Sequence, residues 1–170
     1  VVRYGNVMGS RGSVIPFFLT VAKKGTLPIT DNRMTRFMIT LEEGVDLVWE
    51  AFDDMIGGEI YVRKIPSMKV TDVAKSVSDT ARQEVVGIRP GEKLHEQMIG
   101  PEDAIYTYEY PEYYKILPSI NNWSKDPHRI KNGKKVPENF LYSSDNNKEW
   151  MEIYELRDWI KNNKNKIGNI

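Results

Sequence analysis

The stretch that decides the fold is Val1-Val2-Arg3-Tyr4-Gly5-Asn6-Val7-Met8-Gly9-Ser10-Arg11-Gly12-Ser13-Val14-Ile15-Pro16-Phe17-Phe18. Its adjacent β-branched residues favour extended backbone, so Val1–Tyr4 predicts a strand. Gly5, Gly9 and Gly12 then break regular structure and predict a loop. Ser13 is a candidate N-cap, and Pro16 falls in the first helical turn, where a missing N–H is harmless. Val14, Ile15, Phe17, Phe18 and Val21 supply an apolar helical stripe that ends at Gly25. Strand, loop and helix in that order form the repeating unit of an α/β sheet, whose ligands gather at the C-terminal ends of its strands. Arg3-Tyr4-Gly5-Asn6-Val7 lies at such an end. The chain opens on a strand-like pair without Met, so it reads as starting inside its sheet and as part of a longer polypeptide.

The pattern continues downstream. Leu27–Thr30 reads as a short extended piece, and Met34–Thr40 alternates weakly. Leu41–Met55 is the clearest helix, with Leu41, Val45, Val48 and Phe52 three or four residues apart and Glu42 and Glu43 near its N-terminus. Gly57-Gly58 stops it. Glu59–Val62 predicts a strand, Thr71 caps a helix running to about Thr80, and Glu84–Ile88 predicts another strand. Alternating strands and helices place residues 1–118 in the α/β class. Tyr106, Tyr108 and Tyr110 alternate as in a half-buried strand. Residues 119–148 are polar and loop-like. Residues 149–170 close the chain with a helix over Glu149–Lys166, with Trp150, Ile153, Leu156, Trp159 and Ile160 on one side.

Composition narrows the function classes. The 170 residues suffice for about one domain. Lys plus Arg and Asp plus Glu are each 24, so there is no net basic charge of the kind a general nucleic-acid footprint needs. The absence of cysteine excludes disulfides and thiolate metal sites. No apolar run approaches the roughly 20 residues of a membrane helix, and no signal peptide is visible.

Three clusters could carry chemistry. Asn6 offers amide donors and an acceptor to a phosphate or a sugar hydroxyl, although on its own an Asn beside Gly5 reads first as a turn residue. The glycines of this loop do not match the spacing of a dinucleotide fingerprint, although Asp31 lies near the usual ribose-acid distance. In Leu27-Pro28-Ile29-Thr30-Asp31-Asn32-Arg33-Met34-Thr35-Arg36-Phe37, two guanidiniums lie three residues apart. Each suits either phosphate oxygens or a surface carboxylate. In Gly87-Ile88-Arg89-Pro90-Gly91-Glu92-Lys93-Leu94-His95-Glu96, the Pro-Gly turn holds Arg89 and Glu92 near each other. Arg89 suits a diphosphate and Glu92 the vicinal hydroxyls of a ribose, while a capped helix start would use the same residues. His95 and His128 have no ligand partner at metal spacing, which favours packing or surface roles.

Taken together, the order and spacing of these clusters resemble the extended short-chain dehydrogenase/reductase family of nucleotide-sugar enzymes. The nearest likeness is to its inverting UDP-N-acetylglucosamine 4,6-dehydratases, over about residues 1–118. The matching stretches are Arg3–Phe18, Leu27–Thr40, Gly57-Gly58-Glu59-Ile60-Tyr61-Val62 with Lys64-Ile65-Pro66-Ser67-Met68-Lys69, and Gly87–Glu96. The resemblance implies the C-terminal part of an extended Rossmann-type fold: the last sheet strands and the substrate-binding lobe. It implies that Asn6 contacts the sugar diphosphate, that Ser13 and Val14 line the nucleotide, and that Leu27, Pro28 and Ile29 wall the uracil. Arg36 and Arg89 would bind the diphosphate and Glu92 the ribose, with Tyr4 and Gly5 near the nicotinamide of NADP. The family's glycine-rich cofactor loop, Asp-Lys pair and Tyr-x-x-x-Lys motif do not occur in this sequence, so no catalytic residue is assigned. A cytoplasmic, homo-oligomeric parent acting on UDP-N-acetylglucosamine in pseudaminic acid synthesis is the further implication. A related capsule UDP-sugar dehydratase or epimerase, or a non-catalytic UDP-sugar-binding module, is the alternative.

Overall fold

Residues 1–167 are described in the computed structural model. The opening stretch forms strand β1 (Val2–Arg3), strand β2 (Asn6–Val7) and helix α1 (Val14–Ala22). Strands β3 (Thr26–Ile29) and β4 (Thr35–Ile39) follow, then helix α2 (Leu41–Asp54) and strands β5 (Ile60–Arg63) and β6 (Ser67–Lys69). Helix α3 (Val70–Val77) leads to β7 (Arg82–Val85), β8 (Gln97–Ile99) and the single-turn helix α4 (Pro101–Ala104). Strands β9 (Thr107–Glu109) and β10 (Tyr113–Ile116) precede a 3-10 helix over Ile120–Lys125. The last elements are α5 (Pro127–Ile130), β11 (Lys134–Lys135), β12 (Tyr142–Ser143) and α6 (Ile153–Asn162).

The strands build a five-stranded sheet in the order β1-β5-β10-β9-β11, a three-stranded sheet β2-β4-β6, and the pairs β3-β7 and β8-β12. β1 and β5 are parallel with Val2 opposite Tyr61, as expected of the end of an α/β sheet. β1 and β11 are the edge strands of this sheet among the described residues. β3 and β7 are also parallel and align Pro28 with Glu84. Pro28 removes one donor from this small ladder, which a two-stranded sheet tolerates because Pro can face its free edge.

The two larger of three apolar cores hold these layers. One joins α1, α3 and α6 through Ile15, Phe18, Val73, Ala74, Leu156 and Ile160, with Leu27 and Ile29 of β3 between them. The other joins the strands through Phe37, Ile39, Val62, Ile99, Ile116 and Tyr142. The loop after β1 packs on the second core through the bare Cα of Gly5: an added Cβ there would lie 2.7 Å from the Phe37 carbonyl oxygen, well inside contact distance.

α2 departs from its sequence pattern. Its N-terminus is as expected: the Thr40 hydroxyl accepts the Glu43 N–H at 3.2 Å and Glu43 Oε2 accepts the Thr40 N–H at 2.8 Å. Yet the periodic stripe of Leu41, Val45 and Phe52 faces outward, and Trp49 beside it is 63% exposed. The buried face is Gly44, Leu47 and Ala51. Two small residues let the helix settle closely on β1 and β5, where Gly44 lies against the Tyr4 ring.

Other boundaries also shift. Lys69, not Thr71, occupies the N-cap of α3. The predicted Glu84–Ile88 strand is displaced to Arg82–Val85, because its ladder is set by pairing with β3. The closing helix starts at Ile153, where Glu152 and Glu155 form a capping box. Trp150 precedes it in extended backbone, bridged to Ser67. Residues 119–148 are not a plain loop: they hold the 3-10 helix, α5, β11 and β12. The last three residues of the predicted closing segment, 168–170, lie outside the described residues.

Candidate functional site

The N-terminus of α1, the β3–β4 segment and the 86–92 turn enclose a cavity of about 560 Å³. Asn6, Ser13, Val14, Pro28, Arg36, Arg89 and Glu92 all line it. Residues far apart in sequence therefore meet at one opening. Ser13 sits at the N-cap of α1, but its hydroxyl makes no capping bond, and its Oγ is buried without a hydrogen-bond partner among the described residues. A buried hydroxyl left unpaired costs about 1–3 kcal/mol, so this atom is primed for a ligand's donor or acceptor. Gly12 beside it has φ +76°, a left-handed turn that brings the backbone to the cavity edge.

Leu27 and Ile29 are corrected by the structure. Both are fully buried in the α1–α3–α6 core and their side chains do not wall the cavity. The reason is the two-residue period of a strand: if Pro28 faces the opening, its neighbours face the core.

The 86–92 turn is held at both ends. The Val86 N–H donates to the Ile29 carbonyl at 2.8 Å. Within the turn, Glu92 Oε2 accepts the Arg89 N–H at 3.2 Å and the Glu92 N–H donates to the Arg89 carbonyl at 3.0 Å. The Thr30 hydroxyl lies 3.5 Å from Glu92 Oε1. The exposed Arg89 guanidinium has neither an ion-pair nor a hydrogen-bond partner among the described residues, so its charge is available at the cavity.

The two arginines of the second cluster part company. Arg33 forms a two-pronged pair with Asp31 at 2.8 and 3.0 Å on the surface. That hydrogen bond holds the Asp31 carboxyl down at about 2. Asp31 is therefore committed to Arg33 and is no ribose acid. Arg36 instead turns into the cavity wall, where its guanidinium donates to the carbonyls of Thr35, Lys93 and Leu94.

Tyr4 and Gly5 lie in a second cavity of about 480 Å³, bounded also by Val2, Arg3, Glu96 and Met98. Asn6 lines both cavities. His95 makes a 2.8 Å contact through Nδ1 with the Thr35 hydroxyl, a packing role. Among the described residues no group of His, Asp or Glu is arranged to hold a metal ion. No helix among them is long and apolar enough to cross a membrane.

Sequence reasoning gave no ligand role to Pro16, Phe17, Thr30, Met34 and Val86, which also line the cavity. Phe17 carried a signal, being a large aromatic one position outside the buried Pro16 and Phe18 of the same helix. Val86 carried none, because only the pairing of β7 with β3 brings it to the opening.

Comparison with known proteins gives this geometry a context. The profile of the polysaccharide biosynthesis protein family matches residues 1–118. The chain is 51% identical over 167 residues to a UDP-N-acetylglucosamine 4,6-dehydratase (inverting) of Campylobacter jejuni serotype O:2, covering 94% of this chain and 50% of that protein. It is 37% identical over 165 residues to a UDP-glucose 4-epimerase of Rickettsia rickettsii, covering 94% and 48%. The X-ray structure of Pen from Bacillus thuringiensis superposes with a TM-score of 0.80 at 31% identity, over 96% of this chain and 49% of that one. The chain thus spans about half the length of the curated relatives it matches. The matched profile extends over most of the residues that build both cavities, and on that ground the chain belongs to the polysaccharide biosynthesis protein family, with the α/β fold of the extended short-chain dehydrogenase/reductase type.

Proposed function

We propose that this chain supplies the nucleotide-binding part of a C5-inverting UDP-N-acetylglucosamine 4,6-dehydratase. The observation that carries the reading is the convergence of Asn6, Ser13, Arg36, Arg89 and Glu92 on one cavity. An apolar floor with few polar groups is what a nucleotide needs: contact for the base, and point contacts for ribose and phosphates. In this reading Pro28, Val14 and Phe17 flank the uracil. Glu92 accepts from the ribose hydroxyls. Arg89 meets the diphosphate, Arg36 adds its positive charge from the cavity wall, and Asn6 contacts the diphosphate from the side shared with the second cavity. The helix α1 N-terminus adds a favourable dipole for an anion.

The same reading gives the second cavity to the nicotinamide of NADP. The residues fit in kind: the half-exposed Tyr4 ring offers a flat face, and the Gly5 main chain borders the same cavity. Bound there, the cofactor supplies hydride transfer to and from the sugar. Asn6, which borders both cavities, would hold the diphosphate so that the sugar extends from the first cavity toward the second. This chain's own residues bind and orient, and no proton-transfer group of the dehydration is assigned among them. A homo-oligomeric parent working in the cytoplasm on a nucleotide-sugar precursor of pseudaminic acid completes the proposal.

The test is product NMR on the polypeptide that carries this chain, given UDP-N-acetylglucosamine and NADP. A 4-keto-6-deoxy sugar inverted at C5 is the expected product. A C4 epimer, a C5-retained product or no turnover would each contradict the assignment.

A further inference from the structure

Arg36 spends its guanidinium on the protein. Its Nη1 donates to the carbonyls of Thr35 at 2.7 Å and Leu94 at 3.1 Å, and its Nη2 donates to the carbonyl of Lys93 at 2.8 Å. Its Nε lies 3.5 Å from Glu96 Oε1, and the side chain is 13% exposed. Of the five N–H bonds a guanidinium offers, three are thus given to main-chain carbonyls and a fourth points at a carboxylate. The carbonyls of Lys93 and Leu94 belong to the segment that directly follows Glu92. Thr35 reinforces the same seam, because its N–H also donates to the Leu94 carbonyl at 3.1 Å and its hydroxyl meets His95. The other end of the turn is fixed by the bond from Val86 to Ile29, which continues the β3–β7 ladder. Between these anchors the turn is exposed and carries Arg89 and Glu92.

We propose that Arg36 is a positioning residue: it acts on a nucleotide ligand by fixing the turn that presents Arg89 and Glu92, not by gripping the phosphates itself. The inference rests on the cavity being a nucleotide site. The fork geometry matters because one planar cation spans consecutive carbonyls that a lysine, a point charge, cannot bridge together. The arrangement also joins the two cavities, since Arg36 lines one and Glu96 the other. A ligand's phosphate would meet a guanidinium already saturated in three directions.

The experiment uses Arg36→Lys in the full chain, which keeps the charge and removes the fork. Amide hydrogen exchange of the ligand-free protein should accelerate roughly tenfold or more at the bonded N–H groups of Thr35, Arg89 and Glu92, the scale of a lost charge-assisted bond, while Phe37 and Met38 stay protected. Unchanged exchange in the turn overturns the proposal. Titration then separates the two roles: positioning requires uridine, which lacks phosphate, to bind roughly tenfold more weakly, because Glu92 is displaced too. Weakening confined to UDP would mean a direct phosphate grip and overturn it. If the variant does not fold, the unmodified chain still decides. Its Arg36 Nη protons should give separate, slowly rotating NMR signals without ligand, and rotationally averaged signals overturn the proposal. Should the unmodified chain bind neither uridine nor UDP, the nucleotide reading of the cavity fails, whereas exchange and Nη signals still judge the role of Arg36.

Discussion

At the α5 end of the molecule every buried cation has a carboxylate, although Arg129 Nε makes no hydrogen bond, whereas at the cavity end Arg89 and Ser13 Oγ are left without partners among the described residues. Lys115, 1% exposed, donates to Asp54 at 2.6 Å, the Tyr61 hydroxyl donates to the same carboxylate at 2.8 Å, and Lys131 pairs with its other oxygen. Arg129 pairs with the buried Glu59, donates to the Gly57 carbonyl at 2.7 Å and lies 4.1 Å from the Trp123 ring centre. The Arg129 and Lys131 contacts tie the 119–148 segment to the α2–β5 corner across 70 to 77 residues of sequence. Around the cavity, Arg89 stands in solvent and Ser13 Oγ is buried without a bond. The contrast follows from desolvation. A charge removed from water needs a fixed partner, so the α5 end can only be structural, while a solvated charge beside an apolar floor remains free for a ligand.

The largest effect should come from breaking the paired end. Arg129→Ala strands Glu59 in the interior and should lower unfolding free energy by about 3–5 kcal/mol, read from urea denaturation. A loss below about 1 kcal/mol would mean the pair is not desolvated as the structure has it. Arg89→Ala should do the reverse: stability within about 0.5 kcal/mol of the unmodified chain, with UDP affinity lower by roughly 10- to 100-fold in calorimetry. If it instead unfolds the protein while binding is spared, the two ends have been assigned the wrong roles.

A titration sharpens the same comparison. Burial pushes the Asp54 carboxyl up, but hydrogen bonds from Lys115, Lys131 and Tyr61 prevail and hold it at about 2. A carboxyl whose folded value lies below its unfolded one stabilises the fold at neutral pH and loses that contribution as pH falls toward the folded value. Stability should therefore drop by about 2 kcal/mol between about pH 4 and pH 2, and Asp54→Asn should flatten this part of the profile. Asp31, also held at about 2 by its bond to Arg33, is a surface pair and should contribute little to the same curve. The smallest effect is expected at Ser13→Ala. Removing an unpaired hydroxyl should leave stability unchanged or slightly raised, and weaken UDP binding several-fold, by about 1 kcal/mol. Equal affinity in that variant would remove Ser13 from the site.

Much of the fold and of the site is legible in the sequence, for identifiable reasons. Local chemistry locates α1 after its glycine loop, α2 with Glu42 and Glu43 near its N-terminus, and the turn at Pro90-Gly91. The family likeness assigns Asn6, Arg36, Arg89 and Glu92 to one ligand, and the fold brings all four to one cavity. Leu27 and Ile29 leave the expected wall because a contiguous motif need not form one surface: alternation along β3 lets only Pro28 face the cavity. The outward stripe of α2 escapes sequence reasoning because periodicity finds a helix without saying which face is buried. Gly44 and Ala51 win the sheet-facing side by allowing close approach. The ion pairs of Lys115 and of the 119–148 segment are invisible in the sequence because nothing local in Lys115, Arg129 or Lys131 points to Asp54 or Glu59, and only the fold brings them together.

The most direct test of the account is a crystal structure of the protein with UDP bound. The account predicts the uracil beside Pro28 and Phe17, the ribose hydroxyls on Glu92, and the diphosphate within about 3 Å of the Arg89 guanidinium. UDP lodged elsewhere, or the diphosphate in this cavity without contact to Arg89, would contradict it.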